Sequence, residues 1–263
     1  MPEKSNREMN RRELLGAAAT VAAVGAVAST AKAQAPSIMS SYKPLVVGAH
    51  NGNRLKNEDG ETGVQIAYRM ITAGDDVLDA TIHCNNLPEI SEEDTSVGYG
   101  GLPDANGDVT LDACCMHGPL KRAGGVAYIQ GVRTPSWVAK DVMMKTNHHL
   151  LAGQGATDFA REHGHKIEGD LNSATSFNRY LEWKKRVEEE GDNRTFAELD
   201  LDFIEKKGLD VTYQMAHEGR IDIEHIHGTI NTNAINHKGE ICGNTTTSGR
   251  GFKVPGRVGD SPI

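Results

Sequence analysis

A glycine–threonine pair, Gly228-Thr229, opens a predicted strand near the end of the chain. A threonine hydroxyl is a weak nucleophile that needs a neighbouring base, and the α-amino group formed by cutting the chain before Thr229 is such a base. That amine has an ordinary pKa of about 7.7 to 8.0, close to working pH. One residue would then supply both nucleophile and base. The alternative is an ordinary strand threonine without a chemical role.

Sequence strings typical of one enzyme family surround this pair. They lie at residues 96–104 (SVGYGGLPD), 110–113 (TLDA), 138–160, 245–249 (TTTSG) and 256–263 (GRVGDSPI). On these strings the chain after residue 35 resembles the glycosylasparaginases, N-terminal nucleophile hydrolases whose precursor cuts itself to expose a catalytic threonine. The last string is highly specific.

The resemblance implies a role for each of five residues. Thr229 would be the nucleophile, released when its hydroxyl attacks the carbonyl of Gly228, and Thr247 would hydrogen-bond that hydroxyl. Arg257 would hold the α-carboxylate of an asparagine-type substrate through its planar fork, and Asp260 would hold the α-ammonium. The alternative for Arg257 and Asp260 is an exposed loop ion pair, which is worth little.

The implied reaction is hydrolysis of the amide bond between N-acetylglucosamine and the side chain of a free asparagine. Two alternatives stay open: a plant-type L-asparaginase or β-aspartyl peptidase, and an inactive member that only binds asparagine-like ligands. No cofactor is implied. His225 and His227 flank one residue, but without a third ligand nearby they do not predict a metal site. Dimers of cut protomers are implied.

Three departures from the family stand out, the first being that Val47-Gly48-Ala49-His50 lacks the aromatic usual near the first strand. Gly228 stands where many members have aspartate, although related threonine hydrolases process at a Gly-Thr bond. Family members also continue well beyond the GDSPI string, whereas only 35 residues, 229–263, follow the predicted cut. We therefore expect an α-chain part at 36–228 and the start of a truncated β-chain at 229–263.

Residues 1–35 have the layout of a signal peptide. A polar start with Arg11-Arg12 precedes an apolar run and an Ala-rich cleavage region. The paired arginines resemble a twin-arginine signal, so we expect a periplasmic or secreted protein. The apolar run is short and weakly hydrophobic, so no stable membrane anchor is expected after its removal.

Composition narrows the classes of partner. The chain has 263 residues, enough for a full hydrophobic core, with 28 lysines and arginines against 36 acids and a net charge of −8. No cation excess is available to bind a phosphate backbone, so a small-molecule substrate is expected and nucleic acid is not. The four cysteines lack CxxC spacing and indicate buried thiols.

Hydrophobic periodicity and turn residues predict the elements that would position the site. We expect a buried strand at 44–48, a strand at 109–116, a hairpin of 228–236 and 240–247, helices at 62–73, 76–84, 134–145, 156–163 and 174–189, and a mobile connector at 190–222. The fold class is α+β. The resemblance implies a four-layer αββα sandwich of the N-terminal nucleophile hydrolases, with its C-terminal part missing from this chain.

Overall fold

Helices and strands are mixed along the part of the chain that the computed structural model describes, residues 41–50 and 53–263. The elements are β1 (Leu45–Gly48), α1 (Gly63–Ala73), α2 (Val77–Glu89), β2 (Thr110–His117), β3 (Arg122–Gln130), α3 (Pro135–Lys145), β4 (Leu150–Ala152), α4 (Gly153–Glu162), α5 (Ala174–Glu190), α6 (Leu201–His217), β5 (His227–Ile235) and β6 (Ile241–Arg250). This mixture confirms the α+β class and is consistent with the N-terminal nucleophile hydrolase fold. The predicted signal, 1–35, lies outside the described residues. No helix in the described part is long and apolar enough to cross a membrane.

The strands form one six-stranded sheet in the order β1-β5-β6-β2-β3-β4. All neighbours are antiparallel except β3 and β4. The prediction that β1 is buried is wrong, because it lies at the edge of the sheet and exposes Leu45 and Val47. Its side chains alternate between two faces, so only alternate residues reach the core.

The helices α1 to α4 cover one face of the sheet. Their apolar side chains pack on inward-facing residues of four strands, among them Leu111, Ala113, Ala234 and Cys242. The helix starts follow from capping: the Asp76 carboxylate accepts hydrogen bonds from the first backbone N–H groups of α2. Helix α2 runs five residues past the predicted end, to Glu89, because burial against the sheet outweighs the poor helix propensity of its last turn.

A second apolar cluster lies under α5 and α6. The segment predicted as a mobile connector contains α6, and this corrects the expectation at 190–222. Ile204, Val211 and Met215 of α6 are buried, and the Trp183 indole N–H donates to the Gly208 carbonyl at 2.9 Å. Gly208 interrupts the apolar stripe and lowers helix propensity by about 1 kcal/mol, which hides the helix in the sequence.

Candidate active site

The hairpin of β5 and β6 places Thr229 directly opposite Thr247. The register pairs Thr229 with Thr247 but Gly228 with Gly249, so Ser248 is an extra residue in β6. This is a β-bulge, which bends a strand and redirects its side chains. Instead of joining the ladder, the Ser248 backbone N–H donates to the Ser96 carbonyl at 2.9 Å. Two hydroxyls of the predicted site therefore face each other beside an irregularity in the sheet.

The hydroxyl of Thr247 connects Thr229 to the backbone that precedes it. Thr229 Oγ1 donates to Thr247 Oγ1 at 3.2 Å, and Thr247 Oγ1 donates in a short hydrogen bond to the Gly228 carbonyl oxygen. The Gly249 backbone N–H donates to Thr247 Oγ1 at 2.7 Å. A hydroxyl has one hydrogen and two lone pairs, so all three positions on Thr247 are used. The carbonyl of the predicted cleavage point is held by a donor that also contacts the predicted nucleophile.

Gly228 packs directly against Ser96. A Cβ atom added at residue 228 would lie 2.0 Å from Ser96 Cβ and 2.5 Å from Ser96 Cα, far inside van der Waals contact. Ser96 is itself fixed, because its carbonyl accepts hydrogen bonds from the backbone and hydroxyl of Ser248. An aspartate at position 228 would therefore require the backbone at Ser96 to move. This contact gives a physical reason why this chain has glycine at position 228, where many members of the resembled family have aspartate.

A cavity of about 180 Å³ opens beside the two threonines. It is lined by His227, Thr229, Thr247, Gly249, Arg250, Arg257, Gly259, Asp260 and Ser261. The fold thus brings four of the five predicted site residues to one cavity, and the fifth, Gly228, carries the carbonyl next to it.

The charged side chains of Arg257 and Asp260 stand exposed at this cavity. Within the described residues, neither side chain forms an ion pair or a hydrogen bond, so the alternative of a loop ion pair is not what this part of the chain shows. The Arg257 guanidinium lies between two glycines: a Cβ would come 3.0 Å from Nη1 at Gly249 and 2.9 Å at Gly259. The Gly259 N–H donates to the buried Asp112 carboxylate at 3.4 Å. A cation and an anion are therefore available to a ligand.

The two histidines considered as metal ligands have different surroundings. His225 is buried, with its Nδ1 2.9 Å from the Thr95 hydroxyl. His227 lines the cavity, and its pKa is lowered by partial burial and then by the guanidinium groups of Arg250 and Arg257. Across the described residues, no group of three or more potential ligands could hold a metal ion. Because the pKa of His227 is lowered from its ordinary value of 6.5, its imidazole is neutral at neutral pH.

Sequence reasoning missed two groups that this geometry brings into the site. The Gly249 N–H enters through the bulge, and Ser96 supports Gly228 from a loop more than a hundred residues earlier in the chain. Both lie in strings that carried the resemblance, yet a string of letters reports neither a backbone donor nor a long-range contact.

Comparison with known proteins gives one family. The family model described as Asparaginase, Asparaginase_2, matches residues 50–263. The chain is 32% identical over 257 residues to N(4)-(Beta-N-acetylglucosaminyl)-L-asparaginase of Elizabethkingia miricola, covering 97% of this chain and 64% of that protein. It is 34% identical over 227 residues to the protein of that name from Mus musculus, covering 85% of this chain and 63% of the relative.

A relative with a different printed activity also matches. The chain is 30% identical over 213 residues to "Probable isoaspartyl peptidase/L-asparaginase 3" of Arabidopsis thaliana, covering 76% of this chain and 59% of that protein. The chain thus spans about three fifths of the length of these curated relatives.

Proposed function

The chain belongs to the asparaginase family, and from that premise we propose that it is a self-processing amidohydrolase with Thr229 as nucleophile. The observation that carries the proposal is the hydrogen-bond chain from Thr229 through Thr247 to the Gly228 carbonyl. It connects a hydroxyl to the peptide bond that must break to expose it. The cavity beside it carries Arg257 and Asp260.

The hydrogen-bond chain supports a route for self-cleavage. Thr229 Oγ1 attacks the Gly228 carbonyl carbon; its proton passes to Thr247 Oγ1 while Thr247 gives its own proton to the carbonyl oxygen. The tetrahedral intermediate then collapses, the C–N bond breaks, and the proton returns through Thr247 to the departing nitrogen. An ester joins Gly228 to Thr229 until water cleaves it, leaving a carboxylate and a free amine. No carboxylate base is needed at position 228.

The cut chain would then hydrolyse amides with the same threonine. The α-amine of Thr229 takes the hydroxyl proton as Oγ1 attacks the side-chain amide carbon of the substrate, and it returns that proton to the leaving nitrogen. An aspartyl ester forms on Thr229. Water, activated by the same amine, cleaves this ester and releases aspartate.

Recognition of a free amino acid would fall to Arg257 and Asp260, the two charged groups of the cavity without a partner among the described residues. The Arg257 guanidinium suits the α-carboxylate, because its planar fork donates two parallel hydrogen bonds, and Asp260 suits the α-ammonium. Arg250 and Arg257 both lie near the cavity, and a neutral His227 adds no further charge. We infer a substrate of asparagine type whose α-groups are free; N-acetylglucosamine on its side-chain nitrogen is supported by the printed names of the Elizabethkingia and Mus relatives.

A second candidate is an isoaspartyl peptidase or L-asparaginase. The Arabidopsis relative carries that printed name, and the Gly228-Thr229 pair matches the bond at which plant-type enzymes process. These substrates share the α-carboxylate, the α-ammonium and the amide carbon, so the same residues would bind them. Assaying glycosylated asparagine, free asparagine and a β-aspartyl dipeptide on one preparation separates the candidates, since each leaving group gives a different product.

The proposal is tested by the mass of the chain after synthesis in a cell-free system. We expect two pieces, 1–228 and 229–263, from the wild-type sequence and one uncut chain from Thr229→Ala. Thr247→Val should slow the cut by about 100- to 1000-fold, the usual loss for an oxyanion donor, whereas Thr247→Ser should restore most of the rate. Thr245→Val is the matched control, since the Thr245 hydroxyl accepts a hydrogen bond from Asn231 instead. A wild-type chain that stays uncut would refute self-processing.

A further inference from the structure

A lysine ammonium group is buried next to the candidate site. Lys253 has no exposed surface, and its Nζ donates to the Thr110 carbonyl at 3.0 Å and to the Ser248 carbonyl at 2.5 Å. Burying a charge is costly, and lysine is rarely found fully inside a protein. Neither the self-cleavage nor the hydrolysis described above uses this group.

The Ser248 carbonyl belongs to the same peptide unit as the Gly249 N–H. Lys253 therefore donates to one end of this peptide, while the other end donates to Thr247 Oγ1 at 2.7 Å. Thr247 in turn donates to the Gly228 carbonyl. An unbroken line of hydrogen bonds runs from a buried cation to the peptide bond that is proposed to break. Each bond in such a line strengthens the next by polarisation, most of all where water is excluded.

We propose that Lys253 is a positioning residue for self-cleavage, which polarises the 248–249 peptide and so makes Thr247 a stronger donor to the Gly228 carbonyl. The inference rests on the proposed function. Negative charge develops on that carbonyl oxygen as Thr229 attacks, and a donor chain ending in a cation stabilises it more than the ground state. Lys253 itself touches no reacting atom.

The charges around Lys253 fit this role. Asp112 on β2 and Asp104 in the preceding loop favour its protonated form, whereas Arg257 on its own loop opposes it. Burial has the largest effect and lowers the pKa of Lys253 to about 8. The ammonium is thus charged at neutral pH and is lost as the pH rises through that value.

The first test measures the rate of self-cleavage of the full chain after cell-free synthesis. Lys253→Met keeps the length of the side chain and removes both donor and charge. We expect the cut to slow by about tenfold or more, the loss typical for a hydrogen bond to a charged group. Lys206→Met is the matched control, because Lys206 is exposed on α6 and forms an ion pair with Asp202, on the same helix. A wild-type rate in Lys253→Met would refute the inference.

A double-mutant cycle separates polarisation from a merely structural role. If Lys253 acts through Thr247, adding Lys253→Met to Thr247→Val should slow the cut no further. Losses that multiply would refute the inference. A wild-type chain that stays uncut would instead refute the proposed function, so the two failures are distinct.

The pH profile provides a test that needs no folded variant. The cleavage rate of the wild-type chain should fall as the pH rises through about 8, where Lys253 loses its proton. Lys253→Gln, which retains a neutral donor, should cut slowly without that fall. A wild-type rate that stays level or rises from pH 7 to pH 9.5, roughly a unit and a half above the pKa, would overturn the role of Lys253 even if its variants fail to fold.

Discussion

Thr247 is the last of three consecutive threonines, 245–247, and its surroundings differ from those of the other two. Side chains alternate along β6, so Thr246 is buried toward the helices while Thr245 and Thr247 share the other face. Thr245 pairs across the hairpin with Asn231, and only Thr247 pairs with Thr229. The strand register therefore decides which of the three threonines contacts Thr229. The bulge at Ser248 then brings the Gly249 backbone N–H to the hydroxyl of Thr247.

At the residue scale, Gly228→Ala should prevent close packing on Ser96. The added Cβ would lie 2.0 Å from Ser96 Cβ, so we expect a loss of about 1 to 3 kcal/mol in the free energy of unfolding, as in overpacked cores, together with slower self-cleavage. Urea unfolding and the mass assay measure the two effects. Gly169→Ala, which meets no atom within 4 Å, should change neither. An unaltered Gly228→Ala variant would show that the Ser96 segment yields easily.

Glu89 makes a second residue-scale prediction, on pH. It is fully buried, its carboxylate accepts from the Ser136 hydroxyl at 2.6 Å, and burial raises its pKa to about 7. A raised pKa contributes stability that is complete below the unfolded value, 4.5, and is lost as the pH rises through 7. Glu89→Gln should remove on the order of 3 kcal/mol of this dependence. Denaturant unfolding at pH 5 and pH 8.5 measures the change in the free energy of unfolding between the two pH values. An equal change in the wild-type chain and in Glu89→Gln would contradict the prediction.

At the element scale, helix α6 packs beside the segment that leads to the candidate cleavage point. Arg250 at the end of β6 forms an ion pair with Glu205 of α6, and the Tyr213 hydroxyl of α6 lies 3.4 Å from His227. The end of the hairpin is thus packed against α6, a helix that the weak apolar periodicity of its sequence did not predict. We infer that docking of α6 holds residues 223–228 in the conformation that presents Gly228 to Thr247.

Gly208→Ala tests that docking. Alanine is the better helix former by about 1 kcal/mol, but a Cβ at residue 208 would lie 2.6 Å from Trp183 Cζ2. We expect overpacking to outweigh propensity and the free energy of unfolding to fall by roughly 1 kcal/mol or more. Gly155→Ala on α4, with nothing within 4 Å, supplies the control and should be neutral or stabilising. Stabilisation of both variants to the same extent would mean that α6 does not pack tightly on Trp183.

At the scale of the whole molecule, the face of the sheet away from α1 to α4 is open within the described residues. The register places Val47, Asn233, Gly243 and Met116 in one row across four strands. Val47 and Met116 are 58% and 63% exposed, and a cavity of about 430 Å³ lies on this face. Large apolar side chains exposed on the same face of a sheet are unusual on a folded protein in water.

This open face should bind a hydrophobic dye. We expect anilinonaphthalene sulfonate to fluoresce with the folded chain, and the paired change Met116→Lys with Ile241→Lys to reduce the signal, because both side chains are more than half exposed on this face. Leu181→Lys, on the exposed side of α5, is the control and should leave the fluorescence unchanged. Equal fluorescence in all three chains would place the bound dye elsewhere.

Local signals in the sequence account for the elements that were predicted correctly. Apolar periodicity within 62–73 and 76–84 and the turn at 237–239 were enough to predict α1, the start of α2 and the hairpin, because each signal lies within a few residues of its effect. Strand β3 was not predicted, because Gly124 and Gly125 weaken strand propensity. Gly124 is needed there since a Cβ would lie 2.4 Å from the Ala139 carbonyl of α3.

The sequence by itself determined the family, the helices with clear periodicity, and Thr229, Thr247, Arg257 and Asp260 as candidate residues. These residues followed from the resemblance of their sequence strings to the family. Only the tertiary structure placed Ser96 against Gly228 and joined Lys253 to Thr247 through a peptide. Such contacts are made by backbone atoms and by residues far apart in the chain, so neither periodicity nor residue type reports them, and packing alone decides which of them form.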